Sequence, residues 1–149
     1  MITIETRPWS EARDAAYAIR YAVFVEEQGI PAELEIDDYD PIAEHALAYV
    51  DNRCVATARI YLDEQYPSKA KIGRMAVLKG FRGQGIGTAL LGESIRAGMM
   101  QGASVFELHA QQSAVPFYAK LQFKPDGAIF DEVGIPHQCM RLVLGAPAP

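Results

Sequence analysis

Gly80-Phe81-Arg82-Gly83-Gln84-Gly85-Ile86-Gly87-Thr88 is the stretch that decides how this chain is read. Glycines at 83, 85 and 87 leave a backbone with almost no side-chain cover, so its N–H groups can come close to a ligand. An apolar run at residues 71–78 precedes them, and Leu91, Ile95 and Met99 recur behind them at helical spacing as far as Gly102. Strand, bare loop, helix sets unpaired N–H groups at the positive end of a helix dipole, which is a place for an anion. Two common phosphate loops are excluded by residue identity. A P-loop needs Gly-Lys-Ser/Thr, whereas Gly87 is followed directly by Thr88, and the dinucleotide fingerprint needs glycine where Thr88 stands.

Outward from the loop, the chain reads as alternating strands and helices. Residues 2–6 alternate as a half-buried strand, and Ser10 is the expected N-cap of a helical run through Ala12, Ala16, Ile19 and Val23, in one helix or two, stopped by Gly29-Ile30-Pro31. In residues 33–40 five of eight are acidic and prolines bracket them, so the segment is expected to be an exposed loop. It is not a calcium loop: counted from Asp38, the required glycine and glutamate are Ala43 and Tyr49. Residues 45–50 and 54–62 predict a hairpin across Asp51-Asn52-Arg53. A strand is expected at 104–109, a short helix broken into by Pro116 at 113–121, and two strands at 123–130 and 138–144. No repeat or linker divides the chain, so residues 1–149 are expected to form one mixed α/β domain, with 145–149 a frayed tail.

Composition narrows the classes of function. A chain of 149 residues with half of them apolar can bury a core without staples. The net charge of −5 argues against a surface that neutralises nucleic-acid phosphates. Cys54 and Cys139 form no CxxC pair, so neither a disulfide framework nor a metal is expected, and a reducing cytoplasm is the expected location. Both thiols fall in apolar strand runs and read as small core residues rather than nucleophiles. The first residues lack a signal peptide's basic start and apolar stretch, and no run approaches the ~20 apolar residues of a membrane span.

The segment Arg82-x-x-Gly85-x-Gly87 resembles the pyrophosphate motif, Gln/Arg-x-x-Gly-x-Gly/Ala, of the GNAT superfamily of N-acetyltransferases. Upstream, Ile72-Gly73-Arg74-Met75-Ala76-Val77 is similar to the strand that precedes that motif. Downstream, Gln111-Gln112-Ser113-Ala114-Val115-Pro116-Phe117-Tyr118-Ala119-Lys120-Leu121-Gln122-Phe123 resembles the superfamily's second acyl-CoA motif, with Gln111 where many members carry Asn. The stretch Val23-Phe24-Val25-Glu26-Glu27-Gln28-Gly29, His45, and the closing Asp131-Glu132-Val133-Gly134-Ile135-Pro136-His137 are similar to the ElaA-like branch. The resemblance implies an α+β layered fold, a mixed and mostly antiparallel central sheet flanked by helices. It implies transfer of an acetyl group from acetyl-CoA to a primary amine of a small molecule or peptide by direct attack. It also implies a homodimer paired through a strand edge, as many members form. The alternative is an acyl-CoA-binding regulatory module that has lost turnover.

The same resemblance distributes roles. Met75, Ala76 and Val77 are expected along the pantetheine arm, and Arg82, Gly83, Gln84, Gly85, Ile86, Gly87 and Thr88 around the pyrophosphate, with Gln111 and Tyr118 completing the acyl-CoA site. The backbone N–H of Val77 is the expected donor to the thioester oxygen. Tyr118 is the expected acid toward the departing thiolate; against a thiol near 8.5, a phenol near 10 makes full transfer uphill by about 2 kcal/mol. Glu27, His45 and His109 are the candidate bases, and Glu132 and His137 the candidate acceptor contacts. The acidic residues 33–40 are expected near the acceptor, where they would suit a cationic amine.

Overall fold

In the computed structural model, which describes residues 1–145, the N-terminal alternation forms β1 (Ile2–Pro8), and Pro8 passes the chain straight into α1 (Trp9–Arg20). Ser10, expected as the cap, lies inside the first turn instead. Ala12, Ala16 and Ile19 form the buried stripe of α1. The helix then widens: Tyr21–Glu27 continues it as a π-helical stretch, with Gln28 N–H bonded to Val23 O at 3.1 Å, five residues back. Gly29, at φ +75°, ends it.

The remaining elements are β2 (Glu44–Val50), β3 (Arg53–Leu62), β4 (Lys69–Val77), α2 (Ile86–Met100), β5 (Val105–Gln111), α3 (Val115–Lys120), β6 (Lys124–Pro125), β7 (Phe130–Glu132) and β8 (Ile135–Val143). Eight strands form one sheet in the order β1-β2-β3-β4-β5-β8-β6, with β7 also paired to β8. Every pairing is antiparallel except β4 with β5. This is the mixed, mostly antiparallel sheet expected. The β2–β3 hairpin turns through Asp51 and Asn52, both at positive φ as a tight hairpin turn requires.

Alternation along β2 sends neighbours to opposite faces. Ala46 and Ala48 join the core under α2, while Leu47 packs against Ala12 and Ala16 of α1. The α2 side holds the larger core, with Ile60, Leu90, Leu91 and Phe106 fully buried, each such side chain contributing about 1.5–3 kcal/mol. Gly98 of α2 lies against Phe106.

Three expectations change. Pro116 sits in the first turn of α3 and opens that helix rather than breaking it, because proline's missing N–H is an orphan there in any case. The strand expected at 123–130 shrinks to Lys124–Pro125, since Pro125 cannot donate to a ladder and Gly127 turns the chain at φ +83°. The acidic segment is not a solvated loop: Glu35 and Asp40 are buried, as described below. The expected fraying of residues 146–149 lies outside the described residues. No helix among the described residues is long and apolar enough to cross a membrane.

Candidate functional site

β4 and β5 run side by side only from Lys69–Val105 to Lys71–Glu107. Beyond those three pairs β4 stays with β3 and β5 goes with β8, and a cavity of about 1000 Å³ opens between them. Its walls include Ile72, Met75 and Val77 from β4 and Leu108, His109 and Gln111 from β5.

A β-bulge shapes the β4 wall. The register against β3 slips between Thr57–Ala76 and Arg59–Gly73, and Arg74 takes φ +49°. One extra residue reverses the facing of everything after it. Ala70 and Ile72 face the α2 core before the bulge; Met75 and Val77 do so after it, while Ala76 turns to Ile19 and Val23 under α1. Leu78 N–H is bonded to Val55 O on β3 at 2.9 Å. Neighbouring peptide groups on a strand alternate in direction, so those of Val77 turn away from β3 toward the open side. Val77 O is met there by Nε of Arg82 at 2.9 Å.

The glycine loop closes one end. Gly85, at φ +82°, stands at the N-cap of α2 with no side-chain cap, and the first helical bond runs from Ala89 N–H to Gly85 O. The N–H groups of Ile86, Gly87 and Thr88 therefore have no intrahelical partner. A Cβ on Gly87 would meet Met75 Cε and Phe117 Cζ at 3.4 Å, so glycine lets the helix start press against β4 and α3. Gly83, Gly85, Gly87 and Thr88 line the cavity; Gln84 instead sends its amide to Gly80 O at 3.4 Å, and Ile86 is buried in the core.

Arg82, expected around the pyrophosphate, lines the cavity but is not a free charge. It is instead a clamp, donating to both carboxylate oxygens of Glu27 at 2.7 Å while holding Val77 O. The same clamp engages the candidate base Glu27, and Arg82's hydrogen bonds hold its carboxyl below the usual carboxylate range. The candidate base His45 stands elsewhere. It is fully buried outside the cavity, 4.7 Å from the Trp9 ring, with Nε2 3.0 Å from Asp40 O, and burial lowers its affinity for a proton.

Tyr118 and Gln111 lie on the opposite wall. Burial pushes the Tyr118 phenol up to about 12, and its hydroxyl donates to Met75 Sδ at 3.6 Å. Gln111 donates from Nε2 to Gln28 Oε1 at 2.8 Å, joining the end of β5 to the end of the π-helical stretch. Cys54 and Cys139 are half-buried and free, and burial raises both thiols, which suits side chains that stay protonated.

At the far end the acidic segment is taken up by arginines. Arg20, fully buried, binds Glu35 and both oxygens of Asp40, and Arg59 binds Asp37 and Asp40. Arg74 reaches Asp37 at 3.2 Å. The expected cationic-amine lure is thus already neutralised from within. Tyr39 and Tyr61 stack 4.7 Å apart beside Arg59 and line the cavity. Sequence reasoning missed Tyr39, Arg59 and Arg74 as lining residues; the alternation of Arg59 with apolar Ala58 and Ile60 was the available signal.

His109, Glu132 and His137 line the cavity near the β5 end. Glu107, His109 and Cys139 also bring donor atoms within 4.8 Å of one another. The Glu107 carboxylate is also shared by Arg141 at 3.0 Å and Lys69 at 3.5 Å.

An acetyltransferase (GNAT) domain family model matches residues 15–144. The N-acetyltransferase YjcF of Bacillus subtilis, itself uncharacterized, is 38% identical over 128 residues, covering 85% of this chain and 89% of its own. ElaA of Escherichia coli is 30% identical over 125 residues, covering 83% and 82%, and its crystal structure superposes with a TM-score of 0.84 over 95% of this chain and 99% of that one. An acyl-CoA N-acyltransferase from Pseudomonas aeruginosa gives a TM-score of 0.83 at 25% identity, covering 95% of this chain and 99% of its own.

Proposed function

This chain belongs to the GNAT acetyltransferase family, in its ElaA-like branch, and we propose that it transfers an acetyl group from acetyl-CoA to a primary amine by direct attack. The observation that carries this reading is the opening between β4 and β5, with the Val77 peptide turned into it from one side and the Tyr118 hydroxyl from the other.

The roles follow from those two walls and the loop between them. The unpaired N–H groups at the start of α2 hold the pyrophosphate of the co-substrate, each hydrogen bond to a charged oxygen contributing about 1.5–3 kcal/mol. Met75 to Val77 carry the pantetheine arm as an added strand would lie, and Gln111 faces it across the opening. Val77 N–H polarises the thioester carbonyl and stabilises the oxyanion that forms on attack. As the C–N bond forms the C–S bond breaks and its electron pair goes to sulfur; the Tyr118 hydroxyl donates a hydrogen bond to the departing thiolate, and the surplus proton of the product nitrogen passes to solvent, from which the thiolate is protonated. The alternative, a binding module without turnover, finds no support in a wall that retains both the peptide donor and the phenol.

Calorimetric titration with acetyl-CoA, against CoA, ATP and NAD, tests the first half. Binding of the CoA ligands alone is expected, followed by thiol release in the presence of primary amines. Folded protein that binds no CoA ligand would sink the reading.

A further inference from the structure

His109, Glu132 and His137 come to one cavity wall from three strands. His109 lies on β5 opposite Cys139 of β8; His137 on β8 pairs with Gln111 on one side and Phe130 of β7 on the other. The β7–β8 turn is tight, with Val133 at φ +48° and Gly134 at φ +77°, and Asp131 accepts from Gly134 N–H at 3.2 Å. That turn sets the Glu132 carboxylate between two imidazoles, Oε1 3.3 Å from Nδ1 of His109 and Oε2 3.5 Å from Nε2 of His137. Phe130 packs edge-on against His109 at 5.0 Å and stacks on His137 at 6.0 Å, so both rings have a fixed neighbour. Nδ1 of His137 lies 2.7 Å from Ile135 O; a carbonyl only accepts, so that nitrogen carries its hydrogen.

A carboxylate at Nδ1 of a neutral imidazole draws the hydrogen to that nitrogen and leaves the lone pair on Nε2. We infer that Glu132 holds His109 in the Nδ1–H form so that Nε2 of His109 takes the proton from the acceptor ammonium. Glu132 is then a positioning residue. The inference rests on the acyltransferase reading above. Its need is chemical: an alkyl amine with pKa near 10 is neutral only about one time in a thousand at pH 7. The ammonium N–H bond breaks, its electron pair stays on nitrogen and its proton moves to Nε2, which later gives it to solvent; the freed pair then forms the C–N bond. The other groups facing His109 are Glu107 on its own strand, committed to Arg141 and Lys69, and the Cys139 thiol on β8, kept protonated by burial.

Long-range proton–nitrogen NMR of the imidazoles, in the full chain without ligand, reads the tautomer directly. The Nδ1–H form is expected for neutral His109, lost in Glu132→Gln and largely kept in Glu132→Asp. Carbethoxylation of His109 by diethyl pyrocarbonate, followed by mass spectrometry, is expected to slow several-fold in Glu132→Gln. With acetyl-CoA and primary alkylamines, His109→Gln is expected to lower kcat about 100-fold at pH 7, to regain much of it by pH 10, and to leave acetyl-CoA affinity unchanged. An Nε2–H tautomer in the native protein, a tautomer and modification rate untouched by Glu132→Gln, or a His109→Gln enzyme at native kcat would each overturn the proposal. Absence of acetyl-CoA binding overturns the acyltransferase reading and the base role with it, whereas the tautomer result stands apart from that outcome.

Discussion

Tyr118 gives its hydroxyl hydrogen to the thioether of Met75, 3.6 Å away. Sulfur in a thioether is a weak acceptor, so a thiolate arriving beside it takes the bond over at little cost. With the phenol pushed up to about 12, the proton stays on oxygen throughout the neutral range. Against a thiol near 8.5 full transfer is uphill by about 5 kcal/mol, more than an unperturbed tyrosine would face, so the hydroxyl acts as a hydrogen-bond donor. Tyr118→Phe should lower kcat about 100-fold while acetyl-CoA affinity holds. The native kcat should show no alkaline decline from this residue between pH 6 and pH 10. Thiol release across that range, with calorimetry alongside, checks both; native turnover in the variant removes the phenol from the chemistry.

Gly85 holds φ +82° with no atom within 4 Å of an added Cβ, so space is not the difficulty there. Conformation is. Gly85→Val should cost about 1–2 kcal/mol in the left-handed region, and relief of that strain tilts the first N–H groups of α2 away from the cavity. A calorimetric loss of CoA affinity larger than the loss of stability in urea is expected. Unchanged CoA affinity in a folded variant would contradict the phosphate site.

Asp40 is fully buried, and burial works against its charge while Arg20, the Asp37 N–H and Arg59 outweigh it, bringing the carboxyl to about 2. A folded value below the unfolded one means stability that is fully present above about pH 4 and is lost as the pH falls toward 2. The contribution is on the order of 2 kcal/mol. Urea midpoints at pH 7, 4, 3 and 2 should fall most steeply over the last steps. Asp40→Asn should cost about 3–5 kcal/mol at pH 7, since it leaves Arg20 and Arg59 buried with too little negative charge, and should flatten the acid limb.

Gly98 reverses a familiar rule. Alanine in place of glycine within a helix usually gains about 1 kcal/mol. Here the new Cβ would stand 2.5 Å from Cε1 of Phe106, a ring with no exposure at all. Gly98→Ala should therefore destabilise by about 1–3 kcal/mol, read from thermal or urea unfolding. A stabilised variant would mean that the Phe106 ring has room to move.

Glu27 is spent on Arg82, so Glu27→Gln should keep kcat within about threefold and cost less than about 1 kcal/mol of stability, as exposed pairs do. A large fall in kcat at constant acetyl-CoA affinity would restore Glu27 as a base.

Periodicity and the glycine loop made the order of elements and the acyl-CoA wall legible, because strands 2–6, 45–50 and 54–62 and the α2 stripe are local patterns. What escaped was long-range. Residues 33–40 look solvated until Arg20 and Arg59, distant in sequence, arrive to pair Glu35, Asp37 and Asp40. The Arg74 bulge was also invisible, since an apolar run on a strand buried on both faces has no phase to lose. His109, Glu132 and His137 were each named from sequence, but as a base and two acceptor contacts; only the β7–β8 turn brings them into one cluster.

The three-pair seam between β4 and β5 bears on how this molecule comes together and comes apart. Strands β1 to β4 form one antiparallel block contiguous in sequence, and β5 to β8 another, so each block can assemble from its own neighbours before the two meet. The union of the halves then depends on Lys69–Lys71 meeting Val105–Glu107 and on the side chains of α2 lying across the first block. Under force across the cleft, the molecule is expected to part first at that seam, with each half of the sheet still hydrogen-bonded within itself.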